Sequence, residues 1–305
     1  MDNSVTTRGN EYAGVLLLLL RRYAANLPDG RRNDVDRTLS AALDRIPESR
    51  AAIAGMVAKA DALPQDRKRA LFGGTHAFQP VATAVSAPEL EQVIGRLGGR
   101  KTPPATSRPS AHKYDLRFSH MICDDESNPE SFGKDEPYEI ISMITQAQME
   151  AGTPARSVRT PVYKTNEGDR APASGSEDLR LWGVGAPAVI DSDLLVTVVH
   201  VEHDMGNISK IVTDITAVVT AAAVAAKAAK QDLIAVALGI VASLGGLVTA
   251  LAADDPVGEP QQLLLSQADA DAFTKDAAQV TLPALRFNGG DSNGVYRSFL
   301  TLRRT

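Results

Sequence analysis

The densest chemistry in this chain is acidic. Asp124, Asp125, Glu126 and Glu130 lie in the run Cys123-Asp124-Asp125-Glu126-Ser127-Asn128-Pro129-Glu130, and Asp135 and Glu136 close the continuation Gly133-Lys134-Asp135-Glu136. A hard divalent cation such as Ca²⁺ needs several oxygen ligands, and carboxylates on a loop pinned between strands supply them. Asn166-Glu167-Gly168-Asp169, Glu202, Asp204, Asn207 and Asp254-Asp255 add donors at other predicted loops and strand ends. The candidate Ca²⁺ ligands are Asp124, Glu126, Asp135, Glu136, Asp169 and Asp204. The D-x-[DN]-x-[DN]-G spacing of an EF-hand is absent. Taken singly, each acid is also an ordinary solvated turn former.

Other chemistries find less support. His200, Glu202 and His203 suggest zinc, but on a strand residues 200 and 202 share a face while 203 points the other way. Val241-Ala242-Ser243-Leu244-Gly245 lacks the first glycine of a nucleophile elbow. In Gly98-Gly99-Arg100-Lys101-Thr102, Arg100 separates glycine from lysine, so this is no phosphate loop. Cys123, without a basic neighbour in sequence, reads as a small buried residue. It is the only cysteine, which excludes an intrachain disulfide.

The elements that must position these residues change type along the chain. Residues 1–98 read as a helical bundle. Leu16, Leu19, Leu20 and Tyr23 recur at helical spacing, as do Val35, Leu39, Leu43 and Ile46. A third helix runs from Pro47 through Ala60, and a last from Pro88 to Leu97, with proline at its start and Gly98-Gly99 after it. The run Val15–Leu20 follows Glu11 rather than a basic region, and no small-residue cleavage site comes after Arg21-Arg22, so it reads as a buried helix face and not a signal peptide. Residues 99–111 carry Pro103, Pro104 and Pro109 without apolar periodicity and read as a linker. From residue 112 alternation takes over. Tyr114, Leu116, Phe118, His120 and Ile122 are expected on one strand face. Further strands are expected at Tyr138–Ile144, Val158–Tyr163, Asp178–Val184, Leu194–His203, Gln279–Phe287 and Val295–Leu302. The sum is an α+β chain: a helical bundle, then an antiparallel β-sandwich over 112–305.

An apolar stretch interrupts the strands at 208–253. Residues 233–253 carry no charge and would span about 30 Å as a helix, the thickness of a bilayer core. Ile215–Ala226 is also uncharged, and Lys227, Lys230 and Asp232 lie between the two segments. The stretch is read as an inserted helical hairpin, N-capped by Ser209 and Asp232. Small residues at Ala217, Ala221, Ala225 and Ala229 on the first helix meet a small face on the second. Leu233, Val236, Ile240, Leu244, Leu247 and Leu251 then face outward, toward the protein's own core or toward lipid, with Lys227 and Lys230 at the tip suited to anionic headgroups. A single bent helix weak at Gly245-Gly246 is a third reading.

The sequence over about 112–305 resembles bacterial and some fungal proteins with a C2-like β-sandwich. The resemblance rests on Ile122-Cys123-Asp124-Asp125-Glu126-Ser127-Asn128-Pro129-Glu130, Gly133-Lys134-Asp135-Glu136, Val162-Tyr163, Gly168-Asp169-Arg170, Leu181-Trp182, Val201-Glu202-His203-Asp204 and Gly294-Val295-Tyr296. It implies a C2-like fold with an Ala/Gly-rich helical insertion, and metal binding or a membrane role. It implies no defined reaction. His203-Asp204-Met205-Gly206-Asn207 is less acidic than that pattern.

Composition is that of a globular protein, 44% apolar and 23% charged, with a mean hydropathy of -0.12. The net charge of -5 and pI near 5.6 argue against nucleic acid as partner. The leading expectation is a non-enzymatic effector that binds or enters membranes, pore formation included, with Ca²⁺ on the acidic loops. The bundle would dock a protein partner, load or shield the hairpin. Such a protein is cytoplasmic when made and leaves by a route other than a cleaved signal, or by injection. The rivals are an interaction module with a permanently buried hairpin, and an enzyme using His200, Glu202 and Asp204.

Overall fold

The computed structural model describes residues 3–97, 112–126, 135–177, 179–203, 207–232, 237, 240, 255–289 and 294–305. The expected linker at 99–111 and most of the expected second hairpin helix lie outside them. The chain divides into a helical unit, Met1–Pro103 with Ile144–Ser157 and Asn207–Ala252, and a β unit, Pro104–Met143 with Val158–Gly206 and Ala253–Thr305.

In the helical unit, α1 (Asn3–Ala24), α2 (Asp34–Leu43), α3 (Ser49–Ala62), α4 (Gln65–Phe72) and α5 (Ala87–Gly95) are joined by α6 (Gln146–Ala151) and α7 (Ile208–Ala228). Local chemistry starts several of them. Asn33 and Asp36 form a reciprocal capping box on α2, Ser86 and Glu89 one on α5, and Thr145 and Gln148 one on α6. The cap of α7 is Asn207, whose side chain accepts from Lys210 N, and not Ser209. An asparagine two positions earlier offers the same acceptor and starts the helix sooner.

The expected insertion belongs with the bundle. Helix α7 packs against α1, α2, α3, α5 and α6, and every residue from Asp214 through Ala226 is buried. Helix α1 is enclosed in the same way, with Tyr12, Ala13 and all of Val15–Leu20 buried. A helix that is apolar on every side has no face to give to water. Small residues allow close crossings: a side chain on Gly14 of α1 would collide with the Phe72 carbonyl oxygen at the end of α4.

Two arginines close the end of α1. Arg22 pairs with Asp36 through Nε at 2.8 Å and Nη2 at 2.7 Å. Its remaining N–H groups donate to the carbonyls of Val81, Thr83 and Arg31. Arg21 donates to the Ala77 carbonyl at 2.6 Å and pairs with Asp61. Arg22 and Asp36 are both buried, and a buried charge is stable only when its partners are complete.

The β unit holds two antiparallel sheets. In the first, β1 (Tyr114–Asp125) and β11 (Val295–Arg304) pair along their length, from Tyr114 opposite Arg304 to Asp125 opposite Val295. Short strands flank them: β4 (Arg170–Ala171) and β5 (Leu179–Trp182) on β1, β9 (Gln279–Thr281) and β10 (Leu285–Asn288) on β11. The second sheet has the order β3 (Arg156–Arg159), β2 (Pro137–Thr145), β6 (Leu194–Glu202), β7 (Asp255–Pro256), with β8 (Gln261–Leu265) also on β6. A short helix, α8 (Gln267–Phe273), follows β8. Both sheets feed one apolar cluster, including Tyr114, Leu116, Phe118, Ile141, Leu194, Val196, Val198, Phe287, Leu300 and Leu302.

Three strand expectations change, the first being that the strand expected at Val158–Tyr163 runs earlier, as β3. The pairing of β1 shifts between Phe118 and His120, so Met121 and Cys123 turn inward while His120 and Ile122 become half-buried. A bulge adds one residue and inverts the alternation beyond it. The single strand expected at Gln279–Phe287 is two, β9 and β10, because Pro283 lies between them and has no N–H to give a ladder.

Replacing Asp36 by Ala strands the Arg22 guanidinium inside the helical unit. A loss of about 3–5 kcal/mol is expected for such a broken buried pair, read as a lower midpoint in chemical denaturation. A change below about 1 kcal/mol would place the pair among solvent-screened surface contacts.

Candidate functional site

The alternation of β2 and β6 carries a polar site into the core of the β unit. On β6, Leu194, Val196 and Val198 belong to the apolar cluster, and His200 and Glu202 continue the same face. On β2, Ile141 and Met143 belong to it and Glu139 continues the face. On β11, Ser298 and Tyr296 follow Leu300 and Leu302 in the same way. One end of the core therefore changes from aliphatic to polar within two positions on three strands.

The polar end is connected. His200 Nδ1 lies 3.3 Å from Glu139 Oε1, and the Ser298 hydroxyl donates to that same oxygen. The His200 ring stacks on Tyr296, centroids 4.2 Å apart, and tilts against Phe287 at 5.2 Å. The Tyr296 hydroxyl donates to Asp135 Oδ2, and Asp135 forms a β-bridge with Thr165. The amide of Glu136 donates to Glu202 Oε1 at 2.6 Å. Glu139 Oε2 and His200 Nε2 have no hydrogen-bond partner among the described residues.

Burial sets the protonation here. It pushes the Glu139 carboxyl well above the usual carboxylate range and His200 down to about 3. It also pushes the Cys123 thiol up to about 12, so the thiol is protonated and inert at neutral pH. Burial thus favours the neutral form of each, a protonated acid beside a neutral imidazole. The arrangement is not a hydrolytic triad. Ser298 bonds the carboxyl and not the imidazole, and Glu139, His200 and Ser298 have essentially no exposed surface through which a substrate could reach them.

The six expected Ca²⁺ ligands scatter around this end. Asp124 forms a bidentate pair with Arg297, both contacts 2.7 Å. Glu126 is half-buried just past β1. Asp135 accepts from Tyr296, and Glu136 pairs with Lys164 at 3.1 Å. Asp169 accepts from the amide of Asn166 at 2.9 Å and closes its own turn, which the Cys123 backbone holds through Gly168 N and Asp169 O. Asp204 lies outside the described residues. Among the described residues no three His, Cys, Asp or Glu side chains close on a common metal position. Asp124 and Glu136 pair with cations of the chain, and Asp135 accepts from a hydroxyl. The strand argument for His200, Glu202 and His203 holds in the structure. The first two are buried, and His203 is half-buried, edge-on to Tyr138 at 6.1 Å.

Of the expected membrane-facing residues, Ile240 is buried, Lys227 is half-buried near the end of α7 and Lys230 is exposed in the turn beyond, with φ 55°. Leu233, Val236, Leu244, Leu247 and Leu251 lie outside the described residues. Among the described residues α7 is the one helix long and apolar enough to cross a membrane. The small residues Ala217, Ala221, Ala225 and Ala229 are all buried. Polar ties hold α7 in its unit. The Tyr12 hydroxyl donates to the Ala222 carbonyl at 3.2 Å, Thr216 to Ser157 Oγ at 2.7 Å, and Thr220 Oγ1 accepts from the Ala155 amide at 3.1 Å. Comparison with protein-family models, curated proteins and solved structures finds no match for this chain.

Glu139 was missed in sequence because it sits within an otherwise apolar run. Its signal was positional: an acid at an inward register of a strand buried along its whole length.

The neutral pair makes a specific pH prediction. Unfolded, His200 takes a proton below its ordinary 6.5, whereas folded it stays neutral down to about 3. Alone, it makes stability fall as pH drops through that window. Glu139 keeps its proton to higher pH when folded than when unfolded, where it ionises above its ordinary 4.5, so alone it makes stability fall as pH rises above 4.5. Between 4.5 and 6.5 the two slopes oppose each other. Glu139→Gln removes the second, and the variant should lose up to about 1.4 kcal/mol per pH unit relative to the wild type as pH falls through that interval. Parallel pH profiles of unfolding free energy for the two proteins would refute the neutral pair.

Proposed function

We propose that this chain is a non-enzymatic, membrane-active protein whose helical unit stores an apolar helix away from water. The observation that carries this reading is α7: long and apolar enough to cross a bilayer, buried from Asp214 to Ala226, and packed against α1, α2, α3, α5 and α6. Storage of this kind is a two-state arrangement. The helix leaves only where lipid offers apolar contact that the sheath no longer offers. Lys227 and Lys230 at its C-terminal end suit the headgroups of anionic lipid. Helix α1, equally enclosed, is the natural companion in such a transition. In this reading the β unit is C2-like, supported by two antiparallel sheets over one core, and Ca²⁺ binding rests on the acidic composition of the 124–136 loop.

One observation favours a second reading, an interaction module in which α7 never leaves. Helix α7 is fastened by side-chain hydrogen bonds from Tyr12, Thr216 and Thr220, and opening would expose every one of them. Dye release from anionic liposomes separates the two, at neutral pH and in mild acid, with Ca²⁺ and with chelator. Release is expected, accompanied by loss of hydrogen-exchange protection over 208–228. Tyr12→Phe, which removes a tie worth about 1 kcal/mol, should release dye faster. No release in any condition, with protection of 208–228 unchanged by lipid, would leave only the interaction module.

A further inference from the structure

The helical unit carries a second site that the membrane reading does not use. A cavity of about 340 Å³ is lined by Glu11, Thr75, His76, Glu89, Gln92, Val93 and Arg96. We propose that it binds a divalent transition-metal ion of the zinc class between Glu11 and His76, with Glu89 orienting the histidine.

The histidine is the key residue. His76 is 6% exposed and lies in a short 3₁₀ turn, His76–Phe78. Its Nε2 is 2.9 Å from Glu89 Oε1. In a neutral ring with its proton on Nε2, facing that carboxylate, Nδ1 presents a lone pair. Nδ1 is buried and makes no hydrogen bond. The group facing it is Glu11 Oε2 at 3.8 Å, another lone-pair donor. Two lone pairs repel across this gap, and a cation between them, either a proton on Nδ1 or a metal ion, removes that repulsion. Zinc binds imidazole nitrogen at about 2.0–2.1 Å and carboxylate oxygen at about 2.0–2.2 Å. Those two bonds together exceed the gap, so an ion set off the line between the two atoms lies within bonding distance of both.

Each ligand is held in place. Glu11 Oε1 accepts from the amide of Gly74 at 3.0 Å, which turns Oε2 to the histidine. Gly73 has φ +69°, and a side chain there would press on the Glu11 carboxyl. Glu89 occupies the third position of the α5 capping box, where its Oε2 accepts from Ser86 N at 3.4 Å. A histidine whose far nitrogen is bound by a carboxylate is the usual outer support of a metal ligand. With an imidazole in the set, the site suits zinc-like ions better than Ca²⁺ or Mg²⁺. Thr75 and Gln92 offer further oxygens, and the cavity leaves open positions for water or a small anion, for which Arg96 is a partner.

The test is calorimetric titration of the full chain with Zn²⁺, together with the visible absorption of its Co²⁺ form. One ion per chain is expected, with Co²⁺ bands of nitrogen and oxygen ligation. Glu11→Gln keeps an acceptor for Gly74, so the fold should survive, and it should abolish the bands, as should His76→Gln. Glu89→Gln keeps the capping box and should weaken zinc affinity by about 10- to 100-fold. Neither heat nor bands in the wild type, or wild-type affinity in Glu11→Gln, would overturn the proposal, and wild-type affinity in Glu89→Gln would remove the orienting role.

Discussion

The helical unit is governed by one constraint: two of its helices have central stretches buried on every side. Most globular helices bury one stripe and give the rest to water. Along Val15–Leu20 of α1 and Asp214–Ala226 of α7 there is no such remainder. At about 25 cal/mol for each Å² of apolar surface, leaving either in water would be expensive, so α2–α6 are arranged around them. Their polar atoms obey the same rule. The Tyr12 hydroxyl finds a carbonyl on α7, and Arg21 and Arg22 end the apolar run of α1 with their guanidinium groups bonded to carboxylates and carbonyls.

The β unit meets the opposite problem, polar groups inside a core that could have been aliphatic. Burial disfavours the charged forms of Glu139 and His200, and each keeps an atom without a partner among the described residues. Such atoms cost stability that an apolar pair of the same shape would not. The cluster also connects the two sheets, through Ser298 and Tyr296 on β11 to Glu139 on β2, His200 on β6 and Asp135 just before β2. Its satisfied members fix the register of strands from different sheets against one another, which an aliphatic core does only through shape.

Much of this was legible in the residues. Periodicity located α1, α2, α3 and α5, and alternation located β1, β2, β6 and β11, because each buries one face along several turns or pleats. The strands β4 and β7 are two residues each and were not legible, since nothing periodic can be read from two positions. Alternation in β1 failed beyond Phe118, where an extra residue changes the count. The insertion was correctly read as helical at 208–228, but its destination was not in the local pattern: an apolar face does not say which other face will cover it. Glu11, His76 and Glu89 lie too far apart in sequence to form a motif. They meet only because α1, the turn after α4 and the start of α5 come together.

The helical unit is assembled from three separated stretches of chain, and that has a consequence during synthesis. Tyr12 meets Ala222 across a separation of 210 residues. At about 5–20 residues per second, the ribosome needs roughly 10–40 s after making α1 before the matching part of α7 exists. For that interval α1 lacks the part of its cover that α7 supplies, although α3 and α4 follow it directly. The nascent chain is then the form most exposed to chaperones, to other chains and to any nearby lipid, and the order of translation sets how long that exposure lasts.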